Sequence, residues 1–519
     1  MPHSSSASTV MPCLYSAEQL RAHERALFAQ GGTAFGLMSR AGAALWAQLR
    51  RHWPNARHIG VLVGSGQNAG DGLALARLAL AAGYTVRLFG WLDVASARGA
   101  VADAWAALQR DHSPCVVDGH CVEIRDFDVI VDAGFGIGLS KDRPIENPAA
   151  MWITQVNRAH AQGTGVMAAD LPSGLQADTG AGDLIIEADV TVCFLAWKLG
   201  LFTGRGPAVA GKVILADLAQ PAPSSRAMAQ LILNVPPLPT KSRDGHKGTF
   251  GTVLVIAGNR GMAGAARMAA EAALRVGAGK VIVATHPEHA AMLGIGRPEL
   301  IVHGVADARA LDSLLPLASA VVLGPGLGQD LWSQSLAEVA FETRCPIVVD
   351  ADGLHFLSSS TAWTRRQPAA LLMTPHPAEA ARMLGCTTRI IEQDRLHAAR
   401  SLSERFGALT VLKGAGSVLA LPHRLLVCGR GDPALATAGS GDVLAGVIGG
   451  LLSISSAMGL DPADALIRAV CWHAIAGELL AVERGAWGVA ASDLFEPICA
   501  LINGRIALDS ARIFGVTST

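Results

Sequence analysis

HIGVLVGSGQNAGDGLALARLALAAG, residues 58–83, decides the fold. His58–Val63 reads as a buried strand, the glycines at 64, 66, 70 and 72 make a turn, and the Leu/Ala run after them has helical length and composition. Strand, glycine turn and helix in that order form half of a βαβ unit, and the alternation recurs along most of the chain. Further strands are read at Thr85–Phe89, Val129–Val131, Gly165–Ala169 and Val190–Phe194. In the second half they fall at Gly251–Ala257, Lys280–Ala284, Ala320–Leu323, Pro346–Val349 and Leu409–Leu412. The expected fold class is α/β, with mainly parallel sheets covered on both faces.

The two blocks meet in QPAPSSRAMAQLILNVPPLPT, residues 220–240, where Pro and Ser cluster twice around one short apolar run. Such a stretch suits a linker with a docked strand. The boundary is placed near residue 225, giving domains 1–225 and 226–519. No repeat of fixed period links the halves, so they are different domains.

Composition removes several function classes. Lys+Arg (42) balance Asp+Glu (43), so the basic excess needed for nucleic-acid binding is missing and no such partner is expected. Half of the residues are hydrophobic, which excludes a disordered chain. The uncharged stretch Val443–Leu460 reaches membrane-spanning length, yet it follows a glycine turn and carries Gly and Ser, and we read it as a buried helix without a membrane partner. Met1–Met11 is Ser-rich without an apolar segment, and the nine cysteines form no C-x-x-C pair. A cytoplasmic chain with reduced thiols is expected.

In the first block, Gly64-x-Gly66-x-x-Ala69 satisfies a dinucleotide fingerprint, in which glycines admit a phosphate to a helix N-terminus. Asp71 opposes that reading, because an uncompensated carboxylate there repels a pyrophosphate; a plain helix cap is its other reading. Two further strand ends carry polar residues: Asp132 before the loop Gly134-Phe135-Gly136-Ile137-Gly138, and Asp170-Leu171-Pro172-Ser173-Gly174. C-terminal strand edges of an open parallel sheet line one crevice, so Asn68, Asp132 and Ser173 can converge as hard oxygen donors for a cation. The loop amides of Gly136, Ile137, Gly138, Leu139, Ser140, Lys141 and Asp142 suit a phosphate.

GSGQNAGDGLALAR, VDAGFGIGL and DLPSGL together resemble the three motifs of the NAD(P)H-hydrate epimerase family, with Gln67 and Ala69 where the family has Asn and Gly. The resemblance implies a Rossmann-like α/β sandwich that binds potassium through Asn68, Asp132 and Ser173. It implies substrate contacts at Gln67, Asn68, Ala69, Gly70 and Asp71, at the loop from Gly136 to Asp142, and at Asp170, the proton-transfer group.

In the second block the strongest signal is Ala438-Gly439-Ser440-Gly441-Asp442, opening the apolar helix VLAGVIGGLL. Amides in a glycine turn, aligned with a helix dipole, make an anion hole for a phosphoryl group in flight, and a neighbouring Asp can activate the acceptor hydroxyl. A glycine helix start with an Asp cap is the plainer reading. Four strand ends add context: Gly324-Pro325-Gly326-Leu327-Gly328, Asp350-Ala351-Asp352, Thr374-Pro375-His376-Pro377, and Lys413-Gly414-Ala415-Gly416-Ser417, with Lys413 a point charge for nucleotide phosphates.

With Lys247-Gly248-Thr249-Phe250-Gly251 ahead of them, these motifs resemble, in order, the ribokinase-like fold and more narrowly the ADP-dependent NAD(P)H-hydrate dehydratase family, where Ser440 replaces a Thr. The resemblance implies hydrate contacts at Ala265, Gly326, His376 and Asp442. Nucleotide contacts are implied at Lys413, Gly414, Ala415, Gly416, Ser417, Gly441 and Asp442, with Asp442 also the catalytic base. Both halves together imply a bifunctional repair enzyme acting on hydrated NADH or NADPH, NADHX and NADPHX, with ADP as co-substrate. Magnesium is a further cation that nucleotide chemistry admits, with no ligands assigned. Three other readings stay open: a small-molecule kinase with a dinucleotide-binding regulatory domain, an NAD-dependent oxidoreductase, and a binding protein with a decayed first site. Ala/Leu-rich surfaces on both blocks point to a homo-oligomer.

Overall fold

Alternate residues of the central N-terminal strand His58–Val63 enter different cores: Ile59, Val61 and Val63 pack with the helices Ala34–His52, Asn68–Ala81 and Ala100–Asp111, whereas Leu62 packs with Trp152 and Val156 of the helix Ala149–Ala161. A strand buried on both faces reads as a continuous apolar run, which is how the sequence shows it. The computed structural model describes residues 11–112, 116–119, 124–139, 144–359 and 368–506. It divides the chain between Gln230 and Leu231, the later part also taking in Met11. A strand, Ala229–Ile232, occupies the apolar run of the proline-rich stretch.

The N-terminal unit carries seven parallel strands in the order Val117–Asp118, Thr85–Gly90, His58–Val63, Val129–Ala133, Gly165–Ala169, Val190–Phe194, Lys212–Ala216. Asp132 lies inside its strand, paired in register with Leu62 and Ala168, rather than just beyond a strand ending at Val131. The sequence reading omits the strands Val117–Asp118 and Lys212–Ala216. These are the two edges of the sheet, where pairing on one side leaves a weaker apolar signature.

In the C-terminal unit the order is Ile301–Gly304, Lys280–Thr285, Thr252–Ile256, Ala320–Leu323, Ile347–Val349, Leu371–Met373, Leu409–Leu412, then Val418–Leu421 and Arg424–Cys428. The first seven are parallel and the last two join antiparallel through the turn at Pro422 and His423, the latter at φ 67°. Consequently the C-terminal ends of five adjacent strands, at Gly258, Gly324, Asp350, Thr374 and Lys413, stand in one row.

Helices Ala263–Arg275 and Ser440–Met458 pack on this sheet with almost nothing between them. A Cβ at Gly446 would lie 2.1 Å from the Ala269 carbonyl oxygen, and one at Gly450 2.2 Å from a Val276 methyl. Ser440–Met458 and Pro462–Arg484 are each long and apolar enough to cross a membrane, but 67% and 72% of their apolar windows are buried within the protein. The seven cysteines among the described residues are free.

Candidate active sites

In the N-terminal unit the structure brings Asp132 and Ser173 into direct contact. Ser173 donates its hydroxyl to Asp132 Oδ1 at 2.6 Å and its amide to Oδ2 at 2.7 Å, and the Gly134 amide adds a third bond at 3.1 Å. Both side chains are fully buried. Burial pushes the Asp132 carboxyl up to about 6, against the lowering effect of the bonds from Ser173 and Gly134.

Asn68 joins this pair through Phe135, whose amide donates to Ser173 Oγ at 2.7 Å and whose carbonyl accepts from Asn68 Nδ2 at 3.0 Å. The same Nδ2 donates to the Ala169 carbonyl at 3.0 Å, leaving Asn68 Oδ1 buried without a hydrogen-bond partner among the described residues. A buried acceptor with no donor among the described residues, linked through Phe135 to the Ser173–Asp132 pair, suits a hard cation with oxygen ligands.

Asp170 follows the strand Gly165–Ala169 in the left-handed conformation, at φ 67°. Its Oδ1 accepts from the Phe194 amide at 3.1 Å and from Lys198 Nζ, a buried ion pair. Asp71 stands in the first turn of the helix Asn68–Ala81 and makes no cap, so the plain capping reading fails. Burial, then the negative charges of Asp170 and Glu24, hold the Asp71 carboxyl well above the usual carboxylate range, with Lys198 opposing them. Of the other expected contacts here, Gln67 is exposed, Ala69 is packed in the core, and a Cβ on Gly70 would collide with Met38. Gly136 lies against Asn68, where a Cβ would touch its side chain at 3.4 Å, and Ile137, Gly138 and Leu139 continue from it. Ser140, Lys141 and Asp142 lie outside the described residues.

In the C-terminal unit Lys413 Nζ donates to Asp350 Oδ1 at 2.7 Å. A Cβ on Gly441 would come 3.3 Å from that nitrogen and 3.6 Å from Asp350 Oδ2, so the glycine turn, the lysine and the aspartate share one place. Gly439 opens the helix Ser440–Met458 at φ 89°, without a side-chain cap. Asp442, in the first turn, is half-buried and accepts no hydrogen bond among the described residues, so it is not a cap either. Burial and then the charge of Asp350 push its carboxyl up to about 6, Lys413 lowering it and Asp352 raising it. Below the turn, His473 Nε2 lies 3.0 Å from the Ser440 carbonyl and 3.2 Å from its hydroxyl, and burial pushes this imidazole down to about 4.

Gly326 and Ala265 are neighbours, a Cβ on the glycine falling 2.9 Å from that of Ala265. His376 caps the helix Pro377–Leu384, its Nδ1 accepting from the Ala378 amide at 3.2 Å, with the ring half-exposed. Pro375, one residue earlier, accepts from the Lys413 amide at 2.9 Å, which ties this loop to the KGAGS loop. Within the latter, Ser417 Oγ donates to the Gly414 carbonyl at 3.1 Å, bending the run of Gly414, Ala415 and Gly416 back on itself.

Sequence reasoning misses Lys198, Arg395 and His473. Lys198 and His473 stand out as lone polar residues in apolar runs, a usable signal. Arg395, fully buried, supports the Lys413 loop by donating to the Leu412 and Lys413 carbonyls at 3.3 and 3.0 Å, and its sequence context gives no sign of that.

Residues 34–200 match the family described as YjeF-related protein N-terminus, and residues 253–500 match NAD(P)H-hydrate dehydratase. The bifunctional NAD(P)H-hydrate repair enzyme of Coxiella burnetii is 40% identical over 501 residues, spanning 95% of this chain and 100% of that protein. Its counterpart in Escherichia coli is 38% identical over 515 residues, spanning 95% and 94%. The ADP/ATP-dependent NAD(P)H-hydrate dehydratase of Bacillus subtilis, solved with ATP/Mg2+, is 28% identical with a TM-score of 0.47 and covers 53% of this chain and 99% of its own. Each polar centre falls within one of the matched segments, and the relatives align through both, so the chain belongs to the family of bifunctional NAD(P)H-hydrate repair enzymes.

Proposed function

We propose that the chain repairs hydrated NADH and NADPH in two steps. The domain 1–225 interconverts the R and S epimers at the hydroxyl-bearing ring carbon, and the domain 226–519 dehydrates the S form with ADP, releasing AMP, phosphate and the restored dinucleotide. The observation that carries this reading is Asp442: a half-buried carboxylate without a hydrogen bond among the described residues, one turn into a helix whose glycine start meets Lys413 and Asp350.

Hydroxide leaves poorly, whereas phosphate leaves well. Asp442 takes the proton of the hydrate hydroxyl as its oxygen attacks the terminal phosphoryl group of ADP. The Gly441 amide, the helix dipole and Lys413 stabilise the charge spread over the moving group, and AMP departs. The phosphorylated carbon then loses phosphate and the neighbouring ring carbon a proton, restoring the dihydronicotinamide ring. With a carboxyl pushed to about 6, Asp442 is ionised at neutral pH and still basic enough to accept a proton. Ala265, Gly326 and His376 are the hydrate contacts of this reading, and Gly414, Ala415, Gly416 and Ser417 the nucleotide contacts.

In the N-terminal unit Asp170 is the proton-transfer group. Asn68, Asp132 and Ser173 would hold potassium, the fit resting on the Asn68 oxygen, which has no partner among the described residues, and on the buried Asp132 carboxyl. When bound, potassium supplies positive charge to a carboxylate-lined pocket. Among the described residues no group of three or more His, Cys, Asp or Glu side chains forms a metal site, so magnesium receives no ligands and no step is assigned to it.

The test supplies each separated hydrate epimer to the full chain, with no nucleotide, with ADP and with ATP, and follows products by chromatography. Epimer exchange without nucleotide, and dinucleotide plus AMP from the S form with ADP, is the expected outcome. Accumulation of a stable phosphorylated product from ATP, or no turnover of either epimer, would overturn the reading.

A further inference from the structure

The carboxyl of Asp170 pairs with one buried ammonium in the N-terminal unit, that of Lys198, whose charge also acts on Glu24 and Asp71. The Lys198 side chain is 3% exposed, and its Nζ donates to Asp170 Oδ1 and, at 2.6 Å, to the Phe194 carbonyl. Phe194 in turn donates its amide to the same Asp170 Oδ1 at 3.1 Å. One short segment therefore grips Asp170 Oδ1 twice, while Oδ2 has no hydrogen-bond partner among the described residues. Asp170 itself sits in the left-handed region, which a non-glycine residue adopts only when its surroundings hold it there.

A buried ion pair is weak evidence for stability, because taking both charges out of water costs about as much as their attraction returns, and apolar residues of similar volume do as well. Lys198 lies between Trp197 and Leu199 in a run that is otherwise apolar, so an apolar residue there would match its neighbours. Burial works against the lysine charge, yet Asp170 and the other acidic neighbours outweigh it and raise the pKa of the ammonium.

We propose that Lys198 is the positioning residue of the epimerase centre, clamping Asp170 through Oδ1 so that Oδ2 alone is presented to the hydroxyl-bearing carbon of the substrate. This rests on the reading of Asp170 as the proton-transfer group. Inversion requires a bond to that carbon to break and to re-form from the opposite face. In one balanced route the hydroxyl leaves as water with a proton from an acid, while the lone pair of the ring nitrogen closes to the carbon. Water then adds to the other face, and its extra proton goes to a base. No atom is gained or lost overall. Oδ2 must stay aimed at the same carbon through both halves, and a carboxylate free to rotate would lose that alignment.

The test uses the full chain, with turnover of the S hydrate by ADP as a control that resides in the other unit. Lys198→Met is expected to lower the epimerase kcat roughly 100-fold, a loss typical of proton-transfer machinery, and to leave KM within about threefold. Lys198→Arg, which keeps a charged donor, is expected to restore at least about a tenth of the wild-type kcat. A Lys198→Met variant with near wild-type kcat overturns the proposal, as does a folded Lys198→Arg variant no faster than the Met variant. Should the Met variant fail to fold by circular dichroism, the Arg variant decides alone: lowered kcat at unchanged KM supports positioning, and raised KM at unchanged kcat overturns it. Absence of epimerisation in the wild type, with dehydration intact, overturns the epimerase reading itself and the proposal with it.

Discussion

Lys413 Nζ and Asp350 Oδ1, 2.7 Å apart, belong to strand ends that are not neighbours: the strand Leu371–Met373 runs between them. The Asp350 side chain is 2% exposed and that of Lys413 21%. The pair thus bridges across an intervening strand and fixes the positive charge beneath the Gly441 turn.

Lys413→Met leaves a buried carboxylate without its partner, a loss of about 3 kcal/mol in unfolding free energy. Urea denaturation of the single variants and of the double variant Lys413→Met/Asp350→Asn measures this. The double variant is expected to recover part of the loss, since both charges are gone. Strict additivity would show that the two groups do not interact as described.

Asp442→Asn is expected to lower the dehydratase kcat by about 10² to 10⁴-fold, the range of a positioned base, with epimerisation unchanged. Since burial and Asp350 push this carboxyl up to about 6, the base is protonated at pH 5 and ionised at pH 7. Dehydration by the wild type should rise through a midpoint near that value. A flat profile between those limits would remove Asp442 from the role.

His473 supplies a stability prediction. Burial pushes its pKa down to about 4 from the ordinary 6.5, so between these values the unfolded chain binds the proton that the folded chain refuses. Stability from the neutral imidazole is complete above pH 6.5 and is lost as the pH falls toward 4, to a total of about 3 kcal/mol. Chemical denaturation of the C-terminal unit at a series of pH values checks the slope, which His473→Gln should flatten.

Asn68→Ala removes a buried oxygen that has no donor among the described residues and is one of three proposed potassium ligands. Epimerisation by the wild type is expected to respond to replacement of potassium by choline, and the variant to be slow in both. A variant that keeps the potassium response would place the cation elsewhere. Asp132→Asn offers a second arm, measured by the same ion exchange.

Much of this was legible in the residues because the fold repeats one local pattern. Five of the strands have the very bounds read from apolar runs, namely His58–Val63, Gly165–Ala169, Val190–Phe194, Ala320–Leu323 and Leu409–Leu412. Glycine turns with acidic or lysine residues at strand ends marked both centres. What stayed hidden depends on residues far apart in the chain. Arg395 reaches the Lys413 loop from another helix, and His473 meets Ser440 across 33 positions, so no local window contains either contact. Asp71 and Asp442 look alike in sequence as helix-start acids. Only the backbone placement shows that both sit past the cap, with their carboxyls available for other work.

Bare backbone contact between the helices Ala263–Arg275 and Ser440–Met458 has a mechanical consequence. Ala265 and Gly441 stand near the leading ends of these two rods, and Gly446 meets the Ala269 carbonyl directly, with only the Ala272 methyl beside it. Surfaces that touch at peptide atoms cannot slide or roll without first coming apart, so acceptor and donor would be carried on a stiff frame whose gauge does not drift. Accommodation of incoming molecules then falls to the connecting loops, and a bulkier residue at position 446 would open the gauge and part the groups at its leading ends without altering any of them chemically.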